Sequence, residues 1–253
     1  MANFPPLKSY IIYCLGRLIK EYALTGPFLD AGCGSGDISR YAALRGWRGK
    51  AVDPSPAAFK AARKTLGAFS GVTVENKGLA DVSGVFNTVF LMDVLEHIED
   101  DAKALEKISS LLSEGGHLVI SVPVNPREWR WDDEFYGHYR RYTVDGIRAE
   151  LERSGFSPVV FWDFTFPVFW FMRRMYTRLK KPAVKASLEK ESLTAQSSRV
   201  NAYEMPLLPR LLSSPGFLWK AVYALQFRFF RSYPRRGHEI IILSVKKSAQ
   251  GEV

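Results

Sequence analysis

The stretch Asp30-Ala31-Gly32-Cys33-Gly34-Ser35-Gly36-Asp37 places three glycines at alternate positions, and Ile38, Tyr41, Ala42 and Leu44 follow at helical spacing. Glycine has no Cβ, so a ligand can lie against bare backbone. The helix that the loop runs into offers free N–H groups and partial positive charge to a carboxylate or phosphate. The dinucleotide fingerprint Gly-x-Gly-x-x-Gly, counted from Gly32, needs glycine where this chain has Asp37. A second acid, Asp53, closes the short strand-like run Lys50-Ala51-Val52, 23 residues after Asp30. An acid at the tip of a second strand can accept both hydroxyls of a ribose; the same position also suits an acid at the start of the helix from Pro56.

Proton-transfer groups come later in the chain. Asp93 and His97 sit in Asp93-Val94-Leu95-Glu96-His97, and His138 lies in a stretch from Arg127 to Thr143 that is dense in aromatic and ionisable residues. All three are candidate bases. Trp131, Tyr139, Arg140 and Arg141 are candidate acceptor contacts, the arginines being suited to an anion. The alternative is that Asp132 and Asp133 pair with the arginines to pin the loop, with His138 a structural hydrogen bonder. A metal held by Asp132, Asp133 and His138 has no ligand spacing on a helix behind it, so no metal is expected.

The elements that must position these residues alternate. Helices are expected over 8–24, 37–45, 56–66, 100–112 and 143–154. Strands are expected at 27–29, 50–53, 72–74, 87–93, 117–122 and 159–162, with a last one at 238–245. Apolar runs such as Thr88-Val89-Phe90-Leu91-Met92 suit strands covered on both faces. Five strand–helix alternations at short spacing predict a doubly wound, mostly parallel sheet with right-handed crossovers. Ligands in such sheets sit beyond the C-terminal strand ends, and the glycine loop, Asp53, Asp81, Asp93 to His97 and the chain after Pro123 all fall at that edge.

Phe28 to Asp37, Asp53, Asp81, Val94-Leu95-Glu96-His97 and Leu112 to Pro123 together resemble class I S-adenosylmethionine-dependent methyltransferases, in the small-molecule group that includes quinone-biosynthesis enzymes. The resemblance covers about residues 10–160 and the last strand. It implies a Rossmann-like sheet of seven strands, the last inserting antiparallel beside the fifth. It implies S-adenosylmethionine as cofactor, with Asp30, Gly32, Gly34 and Gly36 around the methionine moiety and Asp53 on the ribose. Ala80 and Asp81 are then placed at the adenine, Asp93 nearby, and the leading helix closes over the cofactor. His-Tyr-Arg-Arg-Tyr-Thr segments like that at 138–143 occur in a subset of the family. The activity implied is methyl transfer to a small or lipid-linked acceptor, with oxygen favoured over carbon. A non-catalytic scaffold on the same fold and an RNA methyltransferase stand as alternatives.

Composition narrows the partners. The 253 residues are expected to form a single domain, and 47% hydrophobic with 24% charged content is that of a globular protein. The net charge of +9 is uneven: residues 165–236 hold 14 Lys or Arg against Glu189, Glu191 and Glu204, while the rest of the chain is slightly acidic. This basic, aromatic-rich segment is expected to be a helical insertion between strands six and seven, with helices over 166–179 and 217–231 and a polar loop over 181–198. Leu218, Val222, Leu225 and Phe229 form one stripe of the second helix. Such a segment suits a lid over a large apolar substrate, or contact with an anionic membrane. No recognisable RNA-binding module is present, so a nucleic-acid partner is not expected. Two cysteines, no membrane-spanning run and no evident leader point to a cytoplasmic protein, with peripheral contact at the inner membrane face open.

Overall fold

The computed structural model describes residues 6–179 and 216–248. The polar loop expected over 181–198 lies outside them. The first half follows the alternation read from the sequence. Helix α1 (Pro6–Glu21) precedes β1 (Phe28–Ala31), α2 (Asp37–Ala43), β2 (Gly49–Val52), α3 (Pro56–Leu66), β3 (Val72–Glu75), β4 (Phe86–Met92) and α4 (Asp101–Leu111). Then come β5 (Leu112–Pro123), α5 (Trp131–Tyr136), α6 (Val144–Arg153), β6 (Phe156–Asp163), α7 (Val168–Leu179), α8 (Gly216–Phe230) and β7 (Glu239–Lys246). Local chemistry sets several starts. Ser55, Asp100 and Thr143 cap α3, α4 and α6 by accepting the backbone N–H three residues on, which satisfies donors that have no partner within the helix.

The strands form one seven-stranded sheet in the order β3-β2-β1-β4-β5-β7-β6. Strands β1 to β5 pair in parallel, and β7 pairs antiparallel with both β5 and β6. Alternate residues feed two cores. Val89, Leu91, Ile240 and Ile242 face α4 and α6; Phe90, Ile241 and Leu243 face α1, α3, α7 and α8. That period of two explains why the strands read as continuous apolar runs.

Two expectations change. The stretch after β5 is not a loop throughout, because α5 forms within it. Arg130 N–H donates to the Asp133 carboxylate at 2.8 Å across the first turn, and Gly137 ends the helix in a left-handed conformation. Strand β5 also begins at Leu112 rather than His117, because Leu112 pairs with Phe86 ahead of an irregularity in the β4 register.

The insertion is rooted on one buried acid. Asp163, at the end of β6, accepts backbone N–H groups of Thr165 at 2.7 Å, Phe166 at 2.8 Å and Gly237 at 2.6 Å. It thereby joins the two ends of 165–236. Helix α8 packs on α1, with Tyr223 stacked on Tyr10 at 4.9 Å between ring centroids and Phe227 edge-on to Tyr13 at 5.6 Å. Asp163→Ala would leave the buried N–H groups without acceptors, at about 1–3 kcal/mol each. We expect urea denaturation of that variant to show a loss of about 3 kcal/mol or more, with Asp163→Asn in between.

Candidate functional site

The first half of the site is backbone. The chain leaves β1 through Gly32 (φ 73°), Gly34 (φ 53°) and Gly36 (φ 79°), all in the left-handed region. At Gly32 a Cβ would lie 2.5 Å from Val94 Cγ2; at Gly34 it would meet nothing within 4 Å. Gly32 is thus small for packing, whereas Gly34 faces open space. Asp30 is buried at the end of β1, where its Oδ2 accepts both the N–H (3.1 Å) and the hydroxyl (2.6 Å) of Ser39 in α2. Burial, opposed by the Ser39 bonds, pushes its carboxyl up to about 6.

Asp53 braces the loop from β2. Its Oδ2 accepts the Gly34 N–H at 2.9 Å and its Oδ1 the Ser55 N–H at 2.9 Å. Burial raises its carboxyl, and those two bonds oppose the shift. A carboxylate has about four lone-pair positions, so each oxygen keeps room for another donor. Ala80 and Asp81 lie exposed on a 3-10 turn after β3. Lys8 of α1 reaches the Ser35 hydroxyl and the Asp37 carboxylate, which brings the leading helix against the loop.

The second half is a group of acids and imidazoles. Asp93 is exposed at the end of β4 with φ 55°, and its Oδ1 accepts the Ser121 hydroxyl at 2.5 Å. Its carboxyl neighbours that of Glu239, which burial and the Asp93 charge push well above the carboxylate range. Glu96 is buried and raised in the same way. His97 is pushed down to about 4 by burial and by His138. The His138 ring meets the His97 ring edge-on at 4.8 Å, and Tyr139 N–H bonds the Glu96 carbonyl at 2.8 Å, which pins the two segments together. Glu96 Oε2 and His97 Nδ1 are buried without a hydrogen-bond partner among the described residues. One atom each from Glu96, His97 and His138 lies within 4.8 Å of the others. That arrangement can take up a proton, and its donor set could also hold a divalent cation.

Around this group the pinned reading of the loop describes the contacts. Asp133 is fully buried; it accepts from Arg141 Nε at 2.7 Å, Arg173 Nη2 at 2.8 Å and the Arg130 N–H at 2.8 Å, and His138 Nδ1 lies 2.9 Å from its Oδ1. Burial alone would raise its carboxyl, but these bonds and the two arginines hold it well below the usual range. Asp132 takes a two-pronged contact from Arg173. Arg141 is buried and also donates to the carbonyls of Val124 and His238. Arg140 pairs with Asp101 at 2.6 Å, and Trp131 Nε1 donates to the Thr177 carbonyl at 2.9 Å.

The fold therefore gathers Asp30, Gly32, Gly34, Gly36 and Asp53 in one place, and Asp93, His97 and His138 in another. It commits Arg141 to the interior, and Arg140 and Trp131 to other partners. Two participants carry no motif. Glu239 is visible only as an acid opening an apolar strand, and Arg173 only as one of many basic residues in the insertion.

Comparisons with known proteins bear on the family and the fold. A family model described as a methyltransferase domain matches residues 8–160. The chain is 30% identical over 138 residues to the ubiquinone biosynthesis O-methyltransferase of Marinobacter nauticus, covering 51% of this chain and 58% of that protein. It is 32% identical over 137 residues to the enzyme of that name from Alkalilimnicola ehrlichii, covering 51% and 53%. The match thus spans little more than half the length of these curated relatives. Among solved structures, an N-methyltransferase from Bradyrhizobium japonicum in complex with S-adenosyl-L-homocysteine superposes with TM-score 0.52 at 19% identity, over 63% of this chain and 80% of that one. A 1,6-didemethyltoxoflavin N1-methyltransferase from Burkholderia thailandensis gives TM-score 0.56 at 14% identity, over 97% and 80%. At those identities the likeness is one of fold.

Asp30 has a measurable signature. Its folded value of about 6 lies above the ordinary 3.8, so folding favours the protonated acid. That stabilisation is whole below pH 3.8 and is lost as pH rises through about 6, a change of about 3 kcal/mol. Urea titrations between pH 4 and pH 7 should show Asp30→Asn flattening the profile by that order, with little loss at pH 4.

Proposed function

We propose that this chain, which belongs to the methyltransferase domain family, transfers a methyl group from S-adenosylmethionine to an oxygen of a small, lipid-linked acceptor. The observation that carries the reading is the meeting of two unlike surfaces at one sheet edge. One is a glycine loop braced by Asp53 and open in front of Gly34. The other is the Glu96–His97–His138 group, rich in unpaired lone pairs. The relatives named for ubiquinone biosynthesis support an oxygen acceptor on a quinone-type substrate.

The residues fit the cofactor. Bare backbone at Gly34 suits the methionine part, and the spare lone pairs of Asp53 suit two ribose hydroxyls. Asp81, exposed beside Ala80, suits the adenine amino group. When bound, the cofactor supplies an electrophilic methyl on a sulfonium. The protein's part is to align the acceptor oxygen and remove its proton. His138 and His97, at the opposite wall, are the bases of this reading, with Asp93 beside them.

We read the whole chain as one catalytic unit, with 165–236 as its acceptor-side cap. No helix among the described residues is long and apolar enough to cross a membrane. Phe171 and Leu179 on α7 and Leu218, Leu225 and Phe229 on α8 are nevertheless exposed beside Arg178, Lys220 and Arg228. Apolar and basic groups on one helical face suit an anionic bilayer surface, where a lipid-linked acceptor resides.

Two measurements test this. Calorimetric titration with S-adenosylmethionine should show binding to the native chain and a loss of about 100-fold for Asp53→Ala, the value of two charge-assisted hydrogen bonds; unchanged affinity removes the ribose assignment. Methyl transfer to a prenylated catechol should be faster in anionic than in neutral vesicles, with the label recovered as a methyl ether. Recovery on carbon, or equal rates with the two vesicles, would overturn the acceptor assignment or the membrane contact respectively.

A further inference from the structure

The acceptor wall contains one buried acid that the reaction itself does not use. Asp133 touches neither the glycine loop nor open space; it is fully buried behind His138. Its four partners divide evenly. Oδ1 meets Arg141 Nε and His138 Nδ1, and Oδ2 meets Arg173 Nη2 and the Arg130 N–H. Arginine and a backbone N–H can only donate. A carboxylate held by two guanidiniums is ionised and can only accept. His138 must therefore present a proton to it from Nδ1. In the neutral imidazole Nε2 is then the ring atom left with a lone pair, and it takes no hydrogen bond among the described residues.

We infer that Asp133 is the positioning residue of the acceptor wall: it fixes His138 with its proton on Nδ1 and Nε2 as the proton-accepting nitrogen, and Arg173 of the insertion holds Asp133 in that role. The inference rests on the proposed methyl transfer for its kinetic consequence, but not for the tautomer. The charged and titratable groups around His138 are His97 and Glu96 after β4, Asp133 and Tyr136 on α5, Arg141 before α6, and Arg173 on α7. Of these, Asp133 alone is hydrogen-bonded to the ring among the described residues.

The role of Arg173 gives the insertion a function beyond covering the site. Arg173 is buried, and it binds Asp132 at 2.6 and 2.8 Å, Asp133 at 2.8 Å and the Glu128 carbonyl at 3.0 Å. Seating α7 therefore sets the carboxylate that sets the imidazole. The first helix of the insertion is wired to the atom that takes the proton.

Asp133→Asn separates this from a merely structural role. One oxygen becomes an amide NH2, which must face a group able to accept. Neither arginine nor the Arg130 N–H can accept, so either placement sets the NH2 against a donor; at the Oδ1 position it meets the Arg141 Nε–H but also His138, which can accept by moving its proton to Nε2. The folded variant should therefore lose one arginine contact and reverse the tautomer. The chain has four histidines, so the 15N imidazole spectrum is readily assigned with a His138→Gln control. Native protein should show His138 protonated on Nδ1, and Asp133→Asn should show it protonated on Nε2. In parallel, kcat should fall by about 100-fold, with the acceptor KM and cofactor affinity changed less than about threefold, and Arg173→Lys should retain more kcat than Arg173→Met. A native neutral His138 protonated on Nε2 alone overturns the inference with no variant needed, even if Asp133→Asn fails to fold. So does an unchanged kcat in a variant whose tautomer has reversed. Calorimetric binding of S-adenosylmethionine on the same samples separates that failure from failure of the cofactor reading.

Discussion

Parallel pairing of β1, β2, β4 and β5 is the constraint from which the site follows. Parallel strands all end at the same edge, so every strand-to-helix turn must be made there. The turns are sharp, and Gly32 and Asp93 take left-handed backbone to make them. A sharp turn off a strand exposes backbone and throws the next side chain outward, which is how Asp53 and Asp93 come to stand at the rim. Strand β7 adds a residue by the opposite logic. It runs antiparallel, so its first residue lies where the others end. Pro123 is paired with Glu239 in that register, and the Glu239 carboxyl therefore meets that of Asp93.

The insertion is fastened by charge rather than by apolar burial alone. Asp163 gathers the N–H groups at its two ends, and Arg173 and Arg174 fasten α7 to Asp132, Asp133 and Glu128. Removing charges from water is costly, and pairing them inside often does no more than break even against an apolar core. What such pairing provides is direction: a guanidinium fork fits a carboxylate in few orientations. Here that fixes where α7 lies relative to His138 to within a hydrogen bond, a tolerance that close-packed Leu and Phe side chains would not impose on an imidazole.

The glycine loop, Asp53 and the strand order could be read from the sequence because each depends on local spacing and on the handedness of crossovers. Element ends were readable to within a few residues, as for the 56–66 helix. Helix α5 was not, since six residues have too little intrinsic helical stability to leave a pattern. It exists because Arg130, Arg141 and Arg173 converge on Asp133. The α8 stripe shows a further limit. Periodicity finds Leu218, Val222, Leu225 and Phe229 on one stripe without telling whether it is covered; Leu218, Leu225 and Phe229 are exposed, and Tyr223, Gln226 and Phe227 are buried. Both sides are apolar, so pattern cannot choose. The choice is made by Gln226, which donates to the Phe164 carbonyl at 2.8 Å and accepts the Val168 N–H at 3.2 Å, and by the stacking of Tyr223 on Tyr10.

Helix α1 then connects the two halves. Near its start, Lys8 bonds Ser35 and Asp37 at the glycine loop, while Tyr10 stacks on Tyr223 and Tyr13 meets Phe227 of α8 edge-on. Arg17 lies over the Phe227 ring at 5.6 Å. One helix thus packs against the glycine loop and carries the second helix of the insertion, while α7 is joined to Asp133 and His138 through Arg173. Protein interiors are packed too closely for one member of such a chain to shift alone. Displacing α8 from α1 disturbs the aromatic stack first, and Lys8 lies one helical turn or less from that stack.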